Sequence, residues 1–96
     1  MGIVEITTFE LAPAVTEETF LAADRRVQTE VVPNRPGFLR RTTARRGGHV
    51  VVVALWYSEG DAVAFETWAN GQPVQAAFEA LADARTRQVS RYETLD

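Results

Sequence analysis

The sequence contains no cysteine and no lysine, and its only histidine is His49. Without cysteine there can be no disulfide, no thiolate nucleophile and no Cys-ligated zinc. One imidazole excludes any metal site that needs two histidines from the same chain. The lack of lysine removes Schiff-base chemistry and the phosphate-binding lysine of a P-loop. No apolar run approaches the roughly 18 residues of a membrane span. The opening Met-Gly-Ile-Val-Glu also lacks the basic region and cleavage site of a secretion signal. A cytoplasmic protein without a membrane partner is expected.

What is present is ordinary globular composition, 46% hydrophobic and 24% charged over 96 residues, which argues against disorder. That length suits one domain, residues 1–96, and is too short for two. A chain of this size buries only about 60–65% of its unfolded surface, so a lone monomer is marginal. The net charge of −3 makes a nucleic-acid partner unexpected. The charge is uneven, however. Arg35, Arg40, Arg41, Arg45 and Arg46 fall between Val31 and Ser58 without an acid among them. A solvated hairpin edge and an anion-binding patch are the two readings of that run.

Hydrophobic patterning gives the element order. Ile3 to Leu11 is rich in β-formers and ends near Pro13, which predicts a first strand. Thr16-Glu17-Glu18 places a capping hydroxyl before two acids at a helix N-terminus. Phe20, Ala23, Val27 and Val31 then form an apolar stripe, with Asp24, Arg25 and Arg26 expected on the wet side. Pro33-Asn34-Arg35-Pro36-Gly37 stops the helix. Phe38 to Arg45 reads as an edge strand, and Arg46-Gly47-Gly48 as a hairpin turn. His49 to Tyr57 is apolar on both alternating faces, so it is expected to be central and covered on both sides.

Ser58-Glu59-Gly60-Asp61 resembles a capping box ahead of a helix marked by Ala62, Phe65 and Ala69. Asn70-Gly71-Gln72-Pro73 interrupts that helix, and Pro73 suits the first position of a second piece. Val74, Phe78, Leu81 and Ala82 are the buried stripe of this piece, and Arg87 to Leu95 reads as a last edge strand. The order is that of an α+β, ferredoxin-like βαββαβ chain with a four-stranded antiparallel sheet. Its two helical segments can cover one sheet face only. The apolar second face calls for a partner, and a homodimer joined through the sheets is the simplest solution.

At this point the chain resembles the dimeric α+β barrel superfamily, and within it the antibiotic-biosynthesis-monooxygenase-like group. The resemblance runs from Ile3 to about Leu95. It rests on Val4-Glu5-Ile6 with Phe9, on Pro36-Gly37-Phe38-Leu39-Arg40-Arg41, on Val52 through Trp56-Tyr57-Ser58, and on the helix with Phe65 and Trp68. It implies a barrel-like dimer with a ligand cleft between sheet and helices. Haem-degrading members pair a first-strand asparagine with a helix tryptophan and a histidine farther on. Trp68 fits that tryptophan, but Thr7 and Phe78 stand at the other two positions, and Phe78 cannot ligate iron. The resemblance therefore implies neither haem nor metal.

Cofactor-free members oxidise electron-rich aromatics or quinols, whose own anion can reduce oxygen in an apolar pocket. Candidate ligand-binding residues are Trp68, Asn70, Arg41, Tyr57, Thr7 and Phe65, with Trp56 as a further stacking surface. Each has a structural alternative: core packing for Trp56, Phe65 and Trp68, sheet packing for Tyr57 and Thr7, and a left-handed helix end for Asn70. Glu5, a charge inside an apolar strand, reads as a paired carboxylate or as a general base. A ligand site is expected beside the Asn70–Pro73 interruption. Three functions remain open: a cofactor-independent monooxygenase, a non-catalytic dimeric ligand-binding or dimerisation module, and an anion contact through the arginine run.

Overall fold

The computed structural model describes residues 2–96. Strands β1 (Ile3–Glu10), β2 (Phe38–Arg46), β3 (His49–Trp56) and β4 (Gln88–Glu93) form one antiparallel sheet in the order β2-β3-β1-β4. Helices α1 (Glu17–Arg26), α2 (Glu59–Ala69) and α3 (Pro73–Glu79) complete the ferredoxin-like chain. No helix is long and apolar enough to cross a membrane among the described residues.

Local chemistry sets the helix boundaries. The Thr16 hydroxyl accepts the Thr19 N–H at 3.1 Å, and the Ser58 hydroxyl accepts that of Asp61 at 3.1 Å, each satisfying one orphan donor of a first turn. Pro73 opens α3, where its missing N–H costs nothing, and Gln72 before it is extended. Two boundaries differ from expectation. The α1 ladder continues as a π turn over Val27–Val31, closed by the Val32 N–H to the Val27 carbonyl at 3.2 Å. The wider turn lets Val27, Val31 and Val32 all point inward, where all three are buried. Helix α3 ends at Glu79, so Leu81 and Ala82 belong to the following turn; Ala82 bridges to Leu11 instead.

Register decides which side chains meet the helices. Glu5, Thr7 and Phe9 of β1 share a face with Val52, Ala54 and Trp56 of β3, because Thr7 pairs with Val52 and Glu5 with Ala54. Phe9 and Val50 join Phe20, Val27, Val31, Val32 and Phe78 in the main core, and Ile3, Ala54, Trp56 and Ala62 form a second cluster. The opposite face carries Val4 against Leu55 and Ile6 against Val53, only part-buried, with no helix over them. Gly37 makes the entry to β2. Its φ is +74°, and a Cβ there would lie 2.2 Å from Asp61 Oδ2, so only glycine fits the turn.

Candidate functional site

A cavity of about 160 Å³ lies between the sheet and the helices, beside the break between α2 and α3. Its floor is the inner sheet face, including Glu5, Thr7, Arg41, Val52, Ala54 and Trp56. Phe65 and Ala69 of α2, Asn70 at its C-terminal cap, and Gln75 and Phe78 of α3 form the roof. The chain leaves α2 through tight turns, from the Gly71 N–H to the Trp68 carbonyl and from Gln72 to Ala69. These turn the helix axis where a continuous helix would have filled the space. The aromatic wall is packed: Trp56 and Phe65 have ring centroids 4.8 Å apart, and Phe9 meets Phe78 edge-on at 6.0 Å.

Arg41 is the principal charge of the floor. Its side chain is 5% exposed, and Nη1 lies 2.9 Å from Asp24 Oδ1 and donates to Gln28 Oε1 at 3.1 Å. The guanidinium carbon also sits 5.3 Å from the Phe78 ring centroid. Burial pulls its pKa below the ordinary arginine value, and Asp24 opposes that shift. Asp24 is thus not on the wet side of α1. It reaches β2, where it also accepts the Thr43 hydroxyl at 2.7 Å. A helical wheel drawn on hydrophobicity alone cannot show this, because the partner charge lies on another element.

A second charged group stands at the β4 side. Arg91 Nε meets Glu5 Oε2 at 2.7 Å and its Nη2 meets Glu66 Oε2 at 2.6 Å, which ties the edge strand to β1 and α2. Glu5 is therefore a paired carboxylate, and its hydrogen bond is the main cause that raises the Arg91 pKa. Glu66, Glu79, Arg87 and Val89 also line the cavity, and sequence reasoning passed over all of them.

Of the six candidates, Thr7, Arg41, Phe65 and Asn70 line the cavity, and Trp68 and Tyr57 do not. Trp68 packs toward the main core, with the Arg35 guanidinium 3.7 Å from its ring centroid. Tyr57 lies just past β3 and is 71% exposed. Asn70 caps α2 in right-handed helical conformation, φ −58°, so the left-handed alternative is wrong; among the described residues Asn34 is the non-glycine residue that adopts positive φ. Three of the five arginines of the run are engaged within the fold, while Arg40 and Arg46 stay exposed on β2. Arg41 is paired with Asp24, Arg45 with Glu17, and Arg35 covers Trp68. Phe78 is buried between Phe9 and Phe20, and His49 lies exposed at the hairpin, 3.4 Å from Glu10.

No family model matches the sequence, and no curated protein matches it. Solved structures do. SnoaB, a cofactor-independent oxygenase from Streptomyces nogalater, superposes with a TM-score of 0.80 at 17% identity, over 99% of this chain and 94% of that one. The chain shares the ferredoxin-like fold of this oxygenase. A monooxygenase from the gene ActVA-Orf6 of Streptomyces coelicolor, in complex with nanaomycin D, shares this fold with a TM-score of 0.72 at 20% identity, covering 99% and 88%. So does a dimeric ferredoxin-like protein of unknown function from Thermobifida fusca, with a TM-score of 0.78 at 16% identity, covering 98% and 92%. At these identities the scaffold is common property, and chemistry must be argued from the cavity.

Proposed function

We propose that the chain is a homodimeric, cofactor-independent monooxygenase acting on a small phenolic or quinol-type aromatic. The observation that carries the reading is a permanent, buried positive charge, Arg41, set in the floor of an aromatic cavity. A ring hydroxyl held beside that charge ionises more readily, and the resulting electron-rich anion is the reductant for oxygen. The balanced reaction is a phenol with a free ring C–H plus O2, giving a quinone and water. One oxygen atom becomes the new carbonyl, the other becomes water, and the substrate supplies all four electrons. Neither metal nor flavin enters this balance. The protein positions the ring, stabilises its anion and excludes bulk water.

Two copies joined through the open sheet faces would cover Val4, Ile6, Val51, Val53 and Leu55. SnoaB and the ActVA-Orf6 enzyme are oxygenases on this scaffold, which supports the reaction class. The test is a panel of hydroquinones and naphthols incubated with and without oxygen. Product should form only aerobically, and kcat/KM should fall at least about tenfold in an Asp24→Ala/Arg41→Met double variant, as loss of a charge-assisted contact predicts. Ligand binding with no oxygen uptake anywhere in the panel would make the protein a binding module instead.

A further inference from the structure

Three buried side-chain polar atoms have no hydrogen-bond partner among the described residues: Arg35 Nε, Trp56 Nε1 and Gln75 Oε1. Two of them, Trp56 and Gln75, belong to residues that line the same cavity. One is a donor and the other an acceptor. Trp56 is 1% exposed, so its indole N–H cannot turn to bulk solvent. Leaving such a group unmatched is costly, and native proteins hold few of them without a reason. The Gln75 amide is oriented by its neighbour. Its Nε2 donates to Glu79 Oε2 at 2.7 Å; a carboxylate only accepts, so Oε1 is the end left facing away.

Trp56 belongs to the sheet and Gln75 to α3, so the two residues line the cavity from different elements. The cavity they share is small and mixed in character, with Phe65 and Phe78 beside Arg41 and Glu5. A cavity of about 160 Å³ is close to the size that holds one benzene ring, and well below the roughly 300–1,000 Å³ of common drug-sized sites. Arg41 lies on the strand next to Trp56: Arg41 pairs with Ala54, and Trp56 is two residues on, so the two are diagonal neighbours on one sheet face.

We propose that the Trp56 indole N–H and the Gln75 amide oxygen are paired handles for a single aromatic ring bearing two hydroxyl groups. One ring oxygen accepts from Trp56, beside Arg41, and the hydroxyl across the ring donates to Gln75. This rests on the reading that an aromatic molecule occupies the cavity, and it names the class: a monocyclic dihydroxyarene rather than a fused polycycle.

The test measures binding under anaerobic conditions by titration calorimetry, so that no turnover contributes. Hydroquinone, phenol and 1,4-dihydroxynaphthalene are the probes. The wild type should bind hydroquinone roughly fivefold or more tighter than phenol, the worth of one net hydrogen bond, and should bind the naphthalene diol more weakly than hydroquinone. Gln75→Met should erase the preference for hydroquinone over phenol. Trp56→Phe should weaken both ligands. A preference that survives Gln75→Met, or a bicyclic diol bound as tightly as hydroquinone, overturns the proposal. Because Gln75 lies on the short outer helix, its variant decides the matter even where Trp56→Phe fails to fold. Binding with this pattern but no aerobic product would remove the oxidation and keep the handles; aerobic turnover indifferent to Gln75→Met would do the reverse.

Discussion

Replacing Asp24 with alanine should cost this protein much of its stability, although α1 would lose only one partly accessible carboxylate. The Asp24 side chain is 23% exposed, but the guanidinium it neutralises is 5% exposed and only 2.9 Å away. Breaking a buried pair by removing one partner typically costs about 3–5 kcal/mol, because the remaining charge stays buried. Gln28 still accepts from Nη1, so the lower end, about 3 kcal/mol, applies here. A domain of this length is stable by about 5–14 kcal/mol at the usual value per residue. The loss should lower Tm by roughly 12–24 °C at fixed protein concentration. Arg41→Met added to Asp24→Ala removes the orphaned charge and should recover most of the loss, giving a strongly non-additive cycle. Urea denaturation of the four proteins measures it. A cost below about 1 kcal/mol for Asp24→Ala, or a double variant that loses the sum of the singles, would refute the reasoning.

Val51→Asp places a charge on the open sheet face and should dissociate the proposed dimer and largely unfold the chain, since an unpaired buried charge is costly; sedimentation that shows a dimer for the variant as for the wild type would contradict this. Val52, one residue on, faces the cavity instead, and the same charge there should abolish ligand binding. Gly37→Ala should destabilise by more than about 1–2 kcal/mol, the cost of a left-handed conformation before its clash with Asp61, and a neutral result in thermal melts would be wrong for this turn. Trp68→Phe should leave ligand binding unchanged and cost roughly 0.5–1.5 kcal/mol through the lost stacking of Arg35; weakened binding without loss of stability would return Trp68 to the site.

Much of the fold is legible in local pattern. The Val50–Trp56 run is apolar on both faces, and that alone places β3 in the middle of the sheet and leaves one face uncovered. Thr16, Ser58 and Pro73 mark helix starts because capping needs only a few neighbouring residues. The site is less legible. Arg41 and Asp24 lie on different elements, and their pairing depends on a register that no short window contains. Trp68 and Phe65 are one turn apart on α2, yet the small rotation between them sends Phe65 to the cavity and Trp68 toward Arg35. Gln75 carried one usable signal, its position four residues before Glu79 on a helix opened by proline. Its significance depends on a donor from β3 that sequence spacing does not reveal.

In the proposed reaction a ring anion held beside Arg41 reduces oxygen without a cofactor. Isotopically labelled O2 supplied with a phenolic substrate to the purified protein tests it most directly. The expected product gains one labelled oxygen and loses two hydrogens, with the second labelled atom recovered in water. A quinone free of label, with the label in hydrogen peroxide, would show simple electron removal and contradict oxygen insertion.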